Sequence, residues 1–283
     1  MNNSKNHHRP FLPKHGQKVL SEIPSAFESA YFDGQDEVTK NGFVLGAGVL
    51  PFTFSPDGQL YFLLGREHFV PGWRGSDTWS AFEGGTKGKD VDVFQTAARE
   101  YMEESLSALH RSCSDNDIAS FAQRLREGDY SLRLTLAITP PFDADRAQKL
   151  RYHVTFVRYF EWKDCVDAPN KFLHRRDELT HIARKMQWCT QISSQEKHVS
   201  THENEWFNLT NAAFIKRNVF LKDKPSLRLD VAPDFLEKTE VKLFNAFELV
   251  DVIHKRKNCH VFRSCFLRTL SVVLQEFQRR LSF

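Results

Sequence analysis

Four residues carry the clearest chemistry in this chain: Arg99, Glu100, Glu103 and Glu104, within the run AAREYMEESL. At roughly 100° per residue of helix, the three glutamates fall within one arc. Phe94, Ala98, Tyr101, Met102 and Leu109 fall on the opposite arc, the apolar face of a packed helix. Like charges at i, i+3 and i+4 repel one another unless a cation sits among them. A hard divalent ion, Mg²⁺ or Mn²⁺, suits carboxylate oxygens. The plain alternative is a solvated acidic face. Two details favour a built site. Arg99 lies one turn before Glu103 and can hold its carboxylate, and Gly84-Gly85 and a short polar loop precede the helix, which suits backbone lying close to a phosphate.

From Gly85 to Leu106 the spacing resembles the Nudix box, G-x5-E-x7-R-E-U-x-E-E-x-G-U with U aliphatic. Arg99 to Leu106 fills the second half in register. There are three departures: Val91 stands at the glutamate position between Asp90 and Asp92, Ser105 replaces the glycine, and Tyr101 occupies an aliphatic position. The resemblance implies a hydrolase that cleaves a nucleoside diphosphate linked to another moiety. It implies Mg²⁺ or Mn²⁺ on Glu100, Glu103 and Glu104, and catalysis by Glu103, Glu104 and Arg99. It also implies an α/β/α sandwich with a mixed sheet. A second stretch, Glu205-Trp206-Phe207, is similar to a downstream element of the family and adds Glu205 as a further metal ligand or base, with Glu203 less well aligned.

Other elements must position these groups. FVLGAGVLPFTF and QLYFLLGRE, joined by Ser55-Pro56-Asp57-Gly58, read as a β-hairpin whose apolar character predicts cover on both faces. Arg66 closes the second strand. Arginine there suits a phosphate through paired N–H donors, and it is equally an ordinary surface residue. After a loop at Pro71 to Gly75, Thr78 to Phe82 reads as a short strand entering the box. Trp73, in the loop, is a candidate to stack on a nucleobase, whereas Trp79 belongs to the core pattern. With Arg66 and Trp73, the backbone at Gly84 and Gly85 completes the expected substrate contacts.

Beyond the box, a helix capped by Ser114 or Asp115 and ended by Gly128 is expected. Two alternating strands follow, SLRLTLAIT and RYHVTFVRYFEW. His153 and Arg158, in the second, face either a cleft or the sheet surface. The polar segment 163–201 reads as a helical insertion in which Arg175, Arg176, Arg184 and Lys185 form either a basic lid or a solvated face. At the C-terminus, Phe266, Leu270, Val273, Leu274, Phe277 and Leu281 repeat at helical spacing. The expected division is a loosely packed or disordered segment 1–41, a Nudix-like domain 42–215, and a C-terminal helical extension 216–283 packed on it.

The 283 residues suffice for one enlarged domain, and 25 Phe against 3 Met predict an aromatic core. Five scattered cysteines without a CxxC pair predict free thiols in a reducing, intracellular and cytoplasmic setting. No apolar run has the length of a membrane span. A net charge of +3 is too slight to indicate nucleic acid by itself. The resemblance implies a nucleotide-type small molecule as partner or, because an enlarged domain with extra helices resembles the mRNA-decapping members and His254 to Asn258 is a basic run, a capped RNA.

Overall fold

The expected hairpin forms the centre of the sheet: β2 (Gly42–Phe54) and β3 (Leu60–Glu67) pair antiparallel, Phe52 opposite Phe62. Gly58 closes the turn at φ 84°, a conformation that glycine adopts without steric penalty, and its N–H donates to Ser55 O at 2.8 Å. The computed structural model of the chain describes residues 31–33, 42–70, 72–73, 75–88, 90–110, 115–138, 150–193, 237–255 and 258–281.

Around the hairpin the sheet runs β1 (Tyr31–Asp33), β6 (Leu132–Ile138), β7 (Leu150–Tyr159), β2, β3, β4 (Trp79–Ser80). In addition, β5 (Phe82–Gly85) pairs with β2, and β8 (Lys238–Asn245) pairs with β3. The β2–β7 pair is parallel and the others antiparallel, so the sheet is mixed. The long β2 serves two neighbours on one side. Its first half meets β5, its end meets β3, and β7 runs along the whole of its other side.

Helices cover both faces, which explains the continuous apolar runs in β2 and β3. On one face, α1 (Val93–Glu104), α2 (Asp115–Arg126) and the start of α3 (Trp162–Ser193) enclose Ala98, Tyr101, Phe121, Phe156 and Phe172. On the other, α4 (Ala246–Lys255) and α5 (Ser264–Leu281) enclose Phe52, Phe62, Trp79, Phe244 and Phe266. Trp79 lies in the core, edge-on to Phe244 at 4.9 Å between centroids. The stripe Phe266, Leu270, Val273, Leu274 and Phe277 is buried. The result is an α/β architecture with a mixed sheet between helical layers.

Two expectations change. Residues 216–283 do not form a purely helical extension, because 238–245 add a strand that pairs along all of β3. Its sequence, KTEVKLFN, buries Lys238, Val241 and Phe244 among exposed or half-buried residues that are polar apart from Leu243, so neither period dominates. Likewise, α3 is not a peripheral lid over its described part. Arg175 donates to the carbonyls of Leu106, Ser107 and His110, and Arg176 Nε donates to Lys238 O at 3.1 Å. These two arginines fasten α3 to the turn after α1 and to β8. The side chains of Arg184 and Lys185 lie outside the described residues, as do residues 194–236.

Candidate functional site

Helix α1 begins at Asp92, whose carboxylate accepts the Gln95 N–H at 2.8 Å, an N-cap that satisfies one free donor of the first turn. Its acidic arc is not a solvated face: Glu100, Glu103 and Glu104 are 6%, 4% and 3% exposed. Burying three carboxylates demands nearby positive charge, and the structure supplies it from three places.

The first is Arg99, itself 0% exposed. Its Nη1 donates to Glu100 Oε1 at 2.5 Å and to Glu103 Oε2 at 3.0 Å, and its Nη2 donates to Gly85 O at 2.8 Å. The remaining edge is taken by Asp90, which accepts Nε at 3.0 Å and Nη2 at 2.8 Å. Burial alone would raise the Asp90 pKa, but its bonds from Arg99, the Lys87 N–H and Thr96 outweigh this and hold it below 3.8. Val91, by contrast, is 80% exposed. The carboxylate that the resemblance places at Val91 is therefore supplied one residue earlier by Asp90. The sequence held both flanking acids and did not show which one turns inward.

The second cation is Lys87, whose Nζ lies 3.3 Å from Glu103 Oε2. The third, Lys238 on β8, was not expected. It is fully buried, with Nζ 2.5 Å from Glu67 Oε1, 2.8 Å from Ser80 Oγ and 3.3 Å from Glu104 Oε1. Glu104 Oε2 accepts the Glu83 N–H at 2.6 Å. Both oxygens of Glu104 are thus engaged inside the protein. Only the burial of Lys238 could have revealed this, and the sequence gives no such signal for an isolated lysine.

Gly84 lets the Glu100 carboxylate lie against the loop: a Cβ there would come within 2.4 Å of Glu100 Oε2 and displace it. Gly85 has no such constraint, its nearest neighbour being Leu45 O at 3.8 Å, and it contributes its carbonyl to Arg99. Ser105 tolerates the loss of glycine because its φ is −84°. The left-handed positions are the next two, Leu106 at 50° and Ser107 at 54°, whose carbonyls Arg175 binds.

Among the described residues, no group of three or more His, Cys, Asp or Glu side chains is arranged to hold a metal ion. Glu104 is withdrawn by Lys238. Glu100 and Glu103 each give one oxygen to Arg99, leaving Glu100 Oε2 and Glu103 Oε1 without a hydrogen bond among the described residues. Burial raises the Glu100 pKa, with Glu103 adding to the rise and Arg99 opposing it. This donor set fits a Mg²⁺ or Mn²⁺ ion of the kind held by one or two carboxylates and completed by water and substrate phosphates. It does not fit a cage of three glutamates.

The other expected residues make contacts of their own. Arg66 Nη2 donates to Asp77 at 3.1 Å and Nη1 lies 3.6 Å from Glu240, in a half-exposed ion-pair group. Trp73 is 42% exposed and carries the Arg263 guanidinium at 5.4 Å from its ring centroid. His153 Nδ1 lies 3.7 Å from Glu83 Oε2, a buried oxygen with no hydrogen-bond partner among the described residues. Arg158 binds Asp129 at 2.7 Å and lies over Phe160. Glu203, Glu205 and Trp206 lie outside the described residues.

No protein-family model matches the chain, and no curated protein matches it. Among solved structures it has a weak structural resemblance to Nudix proteins. An Ap4A hydrolase of C. elegans is 17% identical over 41% of this chain and 65% of that one, with a TM-score of 0.25. This chain thus spans less than two thirds of that protein. The NUDIX domain of Shewanella oneidensis NrtR, complexed with ADP ribose, is 13% identical over 46% and 68%, with a TM-score of 0.26. RenU, a Nudix hydrolase of M. smegmatis, is 17% identical over 42% and 61%, also with a TM-score of 0.26. Likenesses this slight bear no weight on function, which rests on the residues above.

Proposed function

We propose that this chain is a Nudix-like hydrolase that cleaves a phosphoric anhydride bond in a nucleotide-type substrate by attack of water at phosphorus. The observation that carries this reading is the Arg99 cluster: a buried guanidinium that fixes Asp90, Glu100, Glu103 and the Gly85 carbonyl as one unit. A structural ion pair needs one partner. An arginine with three carboxylates, two of which keep a free oxygen, is built to present those oxygens. Neutralising two adjacent phosphoryl groups is what a divalent ion bound through Glu100 and Glu103 supplies.

The chain's own part is positional. Arg99 holds one oxygen of each glutamate and so fixes the direction of the other. Gly84 lets the loop lie against Glu100. Lys87, near Glu103 and half-exposed, is placed to meet an incoming phosphate. In this proposal Glu205 completes the ion's shell or takes the proton from water, and Trp73 stacks on the base. The Nudix-like unit is 42–215 together with the strand 238–245. The substrate is a small nucleotide derivative or a capped RNA.

A second reading, a catalytically weak Nudix-fold module that binds nucleotide or RNA, is favoured by one observation: Lys238 occupies Glu104. A hydrolysis screen decides. Nucleotide sugars, dinucleoside polyphosphates, nucleoside triphosphates and capped RNA are incubated with Mg²⁺ or Mn²⁺, using wild type and Glu103→Gln. Hydrolysis that needs the ion and falls at least a hundredfold in Glu103→Gln is expected. No turnover anywhere in the panel sinks the enzyme reading and leaves the binding one.

A further inference from the structure

We infer that Lys238 is a built-in substitute for a metal ion: its ammonium occupies a carboxylate site formed by Glu67 and Glu104 that would otherwise take a divalent cation. Three features of the structure support this. The Lys238 side chain has no exposed surface, so it meets no substrate, and its charge acts only on its neighbours. Those neighbours are all oxygens at contact distance: Glu67 Oε1 at 2.5 Å, Ser80 Oγ at 2.8 Å and Glu104 Oε1 at 3.3 Å. A small hard cation seeks this kind of oxygen set, and a compact ammonium with three donors is the side-chain group that can satisfy it. The site is also anchored on every side. Glu104 Oε2 is fixed by the Glu83 N–H, Ser80 Oγ donates to Glu67 Oε1 at 2.8 Å, and Arg263 Nη1 lies 3.4 Å from that same oxygen.

The consequence is a division of labour along one helix. Glu100 and Glu103 each keep an oxygen without a hydrogen bond among the described residues, open to a dissociable ion, whereas Glu104, one residue on, is paired from within by Lys238. What that ion does rests on the hydrolase reading; the neutralisation of Glu104 by Lys238 does not.

The test is Mn²⁺ binding to the full chain by titration calorimetry and electron paramagnetic resonance, with no nucleotide present. Wild type is expected to bind one Mn²⁺, lost in Glu103→Gln and changed less than threefold in Glu104→Gln. Lys238→Ala is expected to bind one more Mn²⁺ than wild type, and Lys238→Ala/Glu104→Gln to lose that gain. A tenfold or greater loss of the wild-type ion in Glu104→Gln overturns the inference and leaves the hydrolase reading intact. An additional ion in Lys238→Ala when wild type binds none supports the inference and counts against the hydrolase reading. If Lys238→Ala gains no ion, the inference is overturned. Should that variant not fold, thermal unfolding of Glu104→Gln in chelator decides. A lowered midpoint is expected from the lost pair with Lys238, and an unchanged midpoint overturns the inference.

Discussion

Replacing Asp90 by Asn separates the positioning of the acidic cluster from its chemistry. The Asp90 and Arg99 side chains are 2% and 1% exposed, and the carboxylate accepts from Arg99 Nε, Arg99 Nη2, Thr96 Oγ1 and the Lys87 N–H. Removing one partner of a buried ion pair costs about 3–5 kcal/mol. Arg99 keeps Glu100 and Glu103, and the asparagine oxygen still accepts one bond, so the lower end, about 3 kcal/mol, is expected. For a chain of this size that is a fall of roughly 6–12 °C in the thermal midpoint. Urea unfolding followed by circular dichroism measures the loss directly through the midpoint at constant slope. Adding Val91→Glu should not restore it, because that side chain points to solvent. A loss under about 0.5 kcal/mol, within the range of an ordinary surface change, or recovery in the double variant, refutes the assignment of Asp90 as the carboxylate that holds Arg99.

Asp90 also sets an acid limit. Its folded pKa lies below 3.8, so its contribution is present above that value and is lost as pH falls through the lower folded one; Asp90→Asn should flatten the stability curve below about pH 4. His110 gives a second window. Its ring lies among Tyr101, Phe121 and Phe160, and burial lowers its pKa to about 3, so stability should fall by up to about 1.4 kcal/mol per pH unit from about pH 6.5 downward. His110→Phe should remove that slope, which acid titration of unfolding checks. Gly84→Ala should displace the Glu100 carboxylate and weaken Mn²⁺ binding at least tenfold, whereas Gly85→Ala should leave it within about threefold; equal effects would contradict the packing argument. Arg175→Ala should lower the thermal midpoint by roughly 4–8 °C, a loss of about 2 kcal/mol from uncapping buried carbonyls, measurable by calorimetry.

Much of this was legible in the sequence where one local rule dominated. The hairpin followed from two apolar runs about a Pro-Asp-Gly turn, and α1 from its two opposed arcs. The Arg99–Glu103 contact followed from one helical turn of spacing. Legibility ended where the deciding partner was distant or the choice was between neighbours. Asp90 and Asp92 have the same chemistry and differ only in backbone direction, one turned to Arg99 and the other capping α1. Lys238 lies in a strand whose alternation is blurred by its own burial, so both β8 and its role were missed. Arg175 had the composition of a lid and is instead a carbonyl cap, because the turn at Leu106 and Ser107 presents oxygens that composition does not show.

The pairing of Glu67 with Lys238 joins residues 171 positions apart. A chain emerging in order would complete the hairpin, the box loop and α1 well before the strand that carries Lys238. Until then, closing α1 onto the sheet would bury Glu67 and Glu104 without that cation, at the cost of buried charge or of taking up protons. The ion-paired form of this end of the sheet is therefore completed only when β8 docks, in the last quarter of the chain.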